Sequence, residues 1–582
     1  VTPPSTARWG SDVIVDLIRA YGFRYAAINP GSSFRGLHDS LINYGENAAE
    51  MLLCPHEELA VQMAHGYAKA SGEPMLAIVH DVVGLLHSTM AVYYAYIDRA
   101  PVFLIGATGP LDEADRRPMI DWIHTANVQG QAVRAYTKWD YQPASIDGIV
   151  DSFARAYGIM RTEPQGPVYL CYDAGLQERP LSSPPTFDAA SGQRVPSAIA
   201  ADPDALAATA DSLVTADNPL LLAEYSGARP GNFAAHVTLA ETVGAGFVDV
   251  GSRLNFPSRH PLNLSLIDGT FEASDLIVGL DVRDWERLTS KLDRTTRRTT
   301  SRVPQNCRWI DIGFGDLEIS AWSMDYQRFR RAEQRILADT AQAVPALTAL
   351  CRDRIATSEP LRRRVAARHE ANAAKSAAAR ARWDEELRAH WDDTPISLPR
   401  LASEIWSQIE GEDWVLTSNT LRDWTRRLWN FDAPYRHPGK SLGTATQIGI
   451  SLGVALAHKG SGRLVVAIEP DGDLMFDPGA LWVAAKADIP MLVVMFNNRA
   501  YYNDWEHQLL MARMRGTPES RAHIGMDLFG PAPDFAMLAR SMGCVGIGPI
   551  EAPGDIRAAL AEGIAAVRAG RPAVVDVVTA HR

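Results

Sequence analysis

Short, continuous apolar runs alternate with stretches of helical periodicity along most of the chain. In the first third, Tyr25–Ile28, Met75–Val79, Pro101–Ile105 and Val168–Leu170 read as buried strands. Leu220–Leu222, Phe247–Val250, Leu276–Val278 and Trp309–Ile312 form a second group. Trp414–Leu416, Leu464–Ile468, Met491–Phe496 and Val574–Val578 form a third. Apolar strands separated by helices predict parallel sheets covered on both faces, hence an α/β chain of doubly wound domains. A Pro-, Ser- and Ala-rich stretch at about 180–200 reads as a linker. From about 327 to 392 the chain reads as helical, charged and solvated, a connector rather than a binding patch. The pattern divides into domains at 1–180, 196–355 and 396–582, with the charged connector at 356–395. Gly166-Pro167-Val168-Tyr169-Leu170 and Arg571-Pro572-Ala573-Val574-Val575 match loosely, as if the first and last domains were related.

Composition narrows the class. The 582 residues carry a formal charge of −12, which argues against a general nucleic-acid surface. The five cysteines stand singly, with no CxxC, which predicts a reducing, cytoplasmic setting and no zinc site. No apolar run is long enough for a membrane span, and Val1-Thr2-Pro3-Pro4 lacks the build of a secretory signal. Such a chain reads as a soluble enzyme.

The richest chemistry lies between Pro470 and Asn498. A strand ends at Ile468 and Asp471-Gly472 follows at its carboxyl end, the edge where open α/β sheets bind ligands. Asp477-Pro478 reads as the N-cap and first position of a helix. The next strand delivers Asn497-Asn498 to the same edge. A carboxylate and an amide oxygen converging there suit a hard divalent cation, completed by water and phosphate oxygens. An Asp-Gly turn beside a polar loop would look the same.

A second signal lies far upstream. In His56-Glu57-Glu58-Leu59-Ala60-Val61-Gln62-Met63-Ala64-His65-Gly66-Tyr67, the positions Ala60, Met63, Ala64 and Tyr67 form an apolar helical stripe. Extended backwards, the stripe passes through Glu57, so Glu57 is predicted buried. Glu58, Gln62 and His65 fall on the polar face, with Glu58 exposed. A buried carboxylate has a raised pKa and suits proton transfer.

The first segment resembles the magnesium-diphosphate motif of thiamine-diphosphate enzymes, written GDG, then NN after a spacer of similar length. Asn498 follows Asp471 by 27 positions. Pro470 replaces the first glycine, and Gly472-Asp473-Leu474 offers a shorter register. The upstream segment is similar to the family's HEQ-A-x-x-M-A-x-GYA pattern. The resemblance implies Asp471, Asn498 and the carbonyl of Ala500 as metal ligands. It implies Ser418, Asn419, Gly472, Asp473 and Tyr501 around the cofactor, and Glu57 as the carboxylate that protonates N1′ of its aminopyrimidine.

Asn29-Pro30-Gly31-Ser32, Ala480-Leu481-Trp482 with Ile489-Pro490, and Phe256-Pro257-Ser258-Arg259-His260-Pro261 are similar to benzoylformate decarboxylases. On that resemblance Ser32 contacts substrate and His80 is catalytic, with His87 a further pocket residue. More broadly the chain resembles the acetolactate synthase and 2-oxoacid decarboxylase superfamily. That implies pyrimidine-binding, central and diphosphate-binding domains, thiamine diphosphate and Mg2+. It also implies a homodimer or homotetramer with active sites between subunits, because Glu57 and the metal motif come from different chains. A flavin at the central domain is open to this superfamily, but no signature for one is present. The implied reaction is decarboxylation of a 2-oxo acid through an enamine. Alternatives are an acetolactate-synthase-like carboligase, a lyase acting on a hydroxyketone, dione or 2-hydroxyacyl-CoA, and a non-catalytic regulatory module of the same fold. Glu506 and His507 fall where the aryl decarboxylases have an apolar wall, which predicts a more polar acyl pocket. Leu442–Gly449 spans the region expected to bend the cofactor.

Overall fold

The computed structural model describes residues 5–581 except 187–194, 318, 321, 324–330 and 442. Much of the 180–200 linker, the start of the 327–392 stretch and Leu442 therefore lie outside the described residues.

Among the described residues, three parallel sheets follow one another along the chain. The first contains β1 (Tyr25–Ile28), β2 (Glu50–Leu53), β3 (Met75–Val79), β4 (Val102–Thr108), β5 (Trp139–Tyr141) and β6 (Val168–Asp173), ordered β2-β1-β3-β4-β6-β5. The central sheet contains β7 (Pro219–Ala223), β8 (Gly246–Asp249), β9 (Leu276–Leu280), β12 (Arg308–Gly313) and β13 (Gln334–Leu337), ordered β13-β12-β9-β7-β8. An antiparallel hairpin, β10 (Ser290–Leu292) with β11 (Thr299–Ser301), extends from it. The last sheet contains β14 (Trp414–Leu416), β15 (Leu464–Pro470), β16 (Leu492–Asn497), β17 (Val545–Ile550) and β18 (Ala573–Val578), ordered β14-β15-β16-β18-β17. The predicted α/β class is the observed one. No helix among the described residues is long and apolar enough to cross a membrane.

Helices α1 (Glu57–Ser71), α2 (Asp81–Ile97), α3 (Glu359–Ala389), α4 (Gln447–Ala457), α5 (Asp471–Leu474), α6 (Gly479–Lys486) and α7 (Tyr502–Arg515) carry most of the chemistry. Several expectations are corrected here. Gln334–Leu337 is an edge strand inside the stretch read as helical. The connector helix α3 is not merely solvated. Its Arg368 is buried and donates to the carbonyls of Leu213, Val214, Ala216 and Val243, which the helix bonds leave unpaired at the carboxyl ends of two helices. Asp471 begins a one-turn helix of its own, and α6 starts at Gly479, without the predicted cap by Asp477.

The largest correction concerns α1. Gln62 is 1% and His65 2% exposed, and Glu58 is half-buried, so the predicted polar face is not solvated. That face docks against α4 of the third sheet. One apolar core runs through Leu59, Ala60 and Met63 of α1 and Ile448 and Leu452 of α4. Glycines allow the approach: a Cβ on Gly66 would lie 2.0 Å from the Ile450 carbonyl oxygen, and one on Gly453 2.0 Å from that of Met63. Both clashes are with backbone, so side-chain rotation cannot relieve them. Gly453→Ala is therefore expected to destabilise the protein by about 1–3 kcal/mol, read as a lower denaturation midpoint. An unchanged midpoint would show that the two helices are free to separate.

Candidate active site

Glu57 is the first residue of α1 and is 6% exposed, as its stripe predicted. The preceding His56 caps the helix by accepting from the Glu58 N–H at 3.2 Å. The Glu57 side chain lies against Gly84, and His87 Nδ1 stands 3.2 Å from its Oε2. His87 is 52% exposed and stacks on His56, so it flanks Glu57 rather than forming an enclosed wall. Glu58 turns the other way. Partial burial raises its pKa, and partial burial of Asp477, with Glu58 beside it, pushes Asp477 up to about 7.

At the carboxyl edge of the third sheet, the three predicted metal ligands converge. Asp471 Oδ2 accepts the Ala500 N–H at 3.1 Å, and Asn498 Oδ1 accepts the same N–H at 3.0 Å. Asp471 Oδ1 accepts the Gly472 N–H at 2.9 Å, and burial pushes its pKa up to about 6. Asn497 turns inward instead and donates to Asp576 at 3.0 Å. Asp473 is committed elsewhere: it accepts the Ala445 N–H at 2.6 Å and the Gln447 N–H at 3.3 Å, tying down the entry to α4. Tyr501 covers Gly472, where a Cβ would meet the ring at 2.7 Å.

The hydroxyl segment after β14 lies beside this edge. Ser418 Oγ is 3.4 Å from Ser451 Oγ, and Ser451 donates to Thr417 at 2.8 Å. Asn419 donates to Gln447 Oε1 at 3.0 Å. Leu421, Arg422 and Asp423 then turn through left-handed φ values of 46°, 51° and 70°.

This edge is chemically incomplete in a way that fits a magnesium diphosphate. Asp471 accepts only from backbone N–H groups, and no Lys or Arg among the described residues pairs with it. Nearby, Glu469 is fully buried, and neither of its oxygens has a partner among the described residues. Burial pushes the Glu469 carboxyl well above the usual carboxylate range, so it neutralises without a cation, and it is the Asp471 oxygens, held by backbone N–H groups alone, that suit a hard cation.

The substrate-side residues are placed less as expected. His80 directly follows β3, and Ser33, not Ser32, stands 2.8 Å from its Nδ1. Ser32 is exposed and lines a separate cavity of about 520 Å3 with Arg35, Leu111, Arg117 and Arg179. The turn Ser32–Phe34 is a tight helical one, which sends neighbouring side chains to different sides. Glu506 pairs with Arg294 of the β10–β11 hairpin at 2.7 Å, and His507 is exposed, so neither forms an acyl wall within the chain. Sequence reasoning also missed Glu469 and Gln447. The acidic side chain at the end of an otherwise apolar strand was the available signal for Glu469.

Known proteins match this chain at both ends and in fold. Residues 8–131 match the model of the thiamine pyrophosphate enzyme N-terminal TPP binding domain, and residues 420–577 match that of the C-terminal TPP binding domain. The acetolactate synthase isozyme 3 large subunit of Escherichia coli is 23% identical over 98% of this chain and 94% of its own. Benzoylformate decarboxylase of Pseudomonas aeruginosa is 25% identical over 45% of this chain and 50% of its own. The thiamine diphosphate-dependent 4-hydroxybenzoylformate decarboxylase of Rhodococcus jostii has the same fold, with a TM-score of 0.76 at 18% identity over 98% of this chain and 99% of that one. With both the N-terminal and the C-terminal TPP binding domains matched, the chain belongs to the thiamine-diphosphate-dependent enzymes.

Proposed function

We propose that the protein uses thiamine diphosphate and Mg2+ to cleave or form a carbon–carbon bond next to a carbonyl, acting on a 2-oxo acid as a decarboxylase. The observation that carries this reading is the convergence of Asp471, Asn498 and Ala500 at one sheet edge. Asp471 and Asn498 would hold the metal through side-chain oxygens and Ala500 through its carbonyl. Ser418, Asn419, Gly472 and Tyr501 would surround the diphosphate end, while Asp473 shapes the loop beside it. The bound cofactor supplies an electron sink adjacent to the substrate carbonyl carbon. Glu57 would hold the proton shared with the aminopyrimidine nitrogen, in surroundings from which water is largely excluded.

The polar pair Ser33–His80 favours decarboxylation over ligation, because an aldehyde product needs a proton delivered at carbon, whereas a ligase needs that position open to a second carbonyl. The E. coli relative that spans nearly the whole chain is a synthase by name, which keeps a carboligase as the second reading. A flavin is disfavoured. At the carboxyl edge of the central sheet, the Glu224 carboxylate already accepts from the Arg283 and Asp284 N–H groups and Ser252, and Asn255 accepts the Gly227 N–H. The donors that a nucleotide diphosphate would need there are taken.

The active site is proposed to lie between two copies of the chain. Within one copy, α1 presents Gln62, not Glu57, to the metal edge: Gln62 donates to Ala445 O at 2.8 Å, whose N–H Asp473 holds. Glu57 turns towards Gly84 and His87.

Four measurements test this. Glu57→Gln should slow C2–H exchange of the bound cofactor by about 10²–10⁴-fold with cofactor affinity retained; unchanged exchange would remove its role. Asp471→Ala should abolish magnesium-dependent cofactor binding, whereas loss on Asp473→Ala alone would move the ligand to Asp473. Mixed and re-associated Glu57→Gln and Asp471→Ala subunits should regain about a quarter of wild-type turnover, since half of random dimers then carry one intact site. No recovery on mixing would place the site within one chain. Turnover of a 2-oxo acid panel, with carbon dioxide and carbonyl products measured together, separates decarboxylase from ligase.

A further inference from the structure

His80, Asp81 and His124 bring three metal-ligating side chains together away from the Asp471 edge. One ligand atom of each, a ring nitrogen or a carboxylate oxygen, lies within 4.8 Å of the other two. His80 follows β3, Asp81 opens α2, and His124 closes the short helix Ile120–His124. Asp81 is 2% exposed, whereas both histidines are half-buried, so an ion can enter from solvent.

The spacing is that of ligands around one ion. His80 Nε2 and Asp81 Oδ2 stand 3.1 Å apart without the geometry of a hydrogen bond. Two atoms on a tetrahedral Zn2+, each about 2.0–2.1 Å from it, are about 3.3 Å from one another. His124, within 4.8 Å, joins them by a side-chain adjustment of about 1.5 Å or less. The remaining polar atoms are held as a supporting shell would hold them. Ser33 Oγ lies 2.8 Å from His80 Nδ1, so a proton on Nδ1 is donated to Ser33 and Nε2 keeps its lone pair. Asp81 Oδ1 accepts the Val83 N–H at 3.2 Å, which leaves Oδ2 for the ion. Gly31 fixes the His80 ring, since a Cβ there would fall 2.1 Å from Nδ1.

Charge favours the same occupant. Burial pushes Asp81 up to about 6, which leaves it ionised at neutral pH, and burial with His124 lowers His80, which keeps its ring neutral. Arg117, which also faces His80, is paired with Asp121 at 2.8 Å.

We propose that His80, Asp81 and His124 bind one divalent transition-metal ion, such as Zn2+, and that the bound ion inhibits the enzyme by occupying His80 Nε2. Two imidazoles and a carboxylate select such an ion over Mg2+, which prefers the oxygen ligands of the Asp471 edge. Three protein ligands leave the rest of the coordination shell to water. The inhibition rests on the proposed function, because it needs His80 at the substrate end of the site; the binding does not. His56, Glu57 and His87 also converge within 4.8 Å, but His87 Nδ1 is hydrogen-bonded to Glu57 Oε2 and His56 Nδ1 accepts the Glu58 N–H.

The test titrates zinc chloride into holoenzyme held in excess Mg2+, counts bound zinc after desalting, and reads its ligands by X-ray absorption. One Zn2+ per chain should remain bound, with two imidazole nitrogens around it. His124→Ala should weaken zinc binding by at least about 100-fold, and Ser33→Ala, which removes only the supporting hydroxyl, by about 10–100-fold. His124 is half-buried and carries no hydrogen bond of the fold's core, so its variant serves where Asp81→Asn folds poorly. Asp471→Ala should keep the zinc. Turnover should fall in step with zinc occupancy and return on chelation, and His124→Ala should need about 100-fold more zinc for the same fractional loss from its own metal-free rate. Absence of retained zinc, or equal zinc affinity in wild type and His124→Ala, would overturn the site. Zinc lost in Asp471→Ala or in His87→Ala but kept in His124→Ala would move the ion elsewhere and overturn it as well. Full turnover at full zinc occupancy would overturn the inhibition. A protein that binds zinc through two imidazoles yet turns over no 2-oxo acid or hydroxyketone would refute the proposed function and leave the metal site standing.

Discussion

Asp98, a fully buried carboxylate at the end of α2, is the point on which the relative placement of the three sheets depends. It accepts from His65 Nε2 and Lys69 Nζ of α1 and from Arg253 Nη1 of the central domain, each at 2.7 Å. Lys69 Nζ also donates to the carbonyls of Gly439 and Lys440, which belong to the third domain. Burial alone would raise the Asp98 pKa, but Arg253, Lys69 and His65 together outweigh it and hold the group below the usual carboxylate range. The adjacent Arg99 repeats the device by pairing with Asp281 of the central domain at 2.6 Å. A buried charge stripped of one partner costs about 3–5 kcal/mol, so each domain holds the other two to a fixed arrangement.

That constraint acts directly on the proposed chemistry through α1. Lys69 and His65 anchor the carboxyl half of the helix, and Gly66 lets its middle press against α4. Glu57 at its amino end is thereby delivered to a fixed position. The same docking turns Glu58 and Gln62 towards Asp477 and Ala445. One helix therefore turns Glu57 towards Gly84 and His87 while its Gln62 braces the loop beside Asp471 and Asp473. On the proposed reading, the two halves of the cofactor site face different ways in one chain and are joined by a second copy.

The legibility of these features in the sequence follows their physical origin. Strands buried on both faces, such as Met75–Val79 and Leu464–Pro470, announced themselves as continuous apolar runs. Glu50–Leu53, Trp139–Tyr141 and Val545–Ile550 were missed because they lie at or near sheet edges and keep polar, aromatic or glycine residues with one side open. The stripe Ala60, Met63, Ala64, Tyr67 foretold the burial of Glu57, because helical periodicity sets that face locally. The burial of Gln62 and His65 was not legible, since it depends on Gly449, Gly453 and Asp98, residues distant in sequence. Polar side chains docked on another domain look the same in sequence as polar side chains in water.

The same distinction explains why the cofactor is readable and the substrate is not. Asp471 and Asn498 sit at the ends of adjacent parallel strands, where strand length and a fixed spacing decide their position. The substrate end is built from turns. Whether Ser32 or Ser33 reaches His80 depends on a tight helical turn of three residues, where a shift of one position changes the side of the chain that is presented. Arg294 and Glu506 meet only because a hairpin of the central domain extends over a helix of the third. The proposed metal ligation thus rests on secondary structure and the proposed substrate contacts on loop conformation, so enzymes that share every cofactor residue can differ in the carbonyl compound they act on.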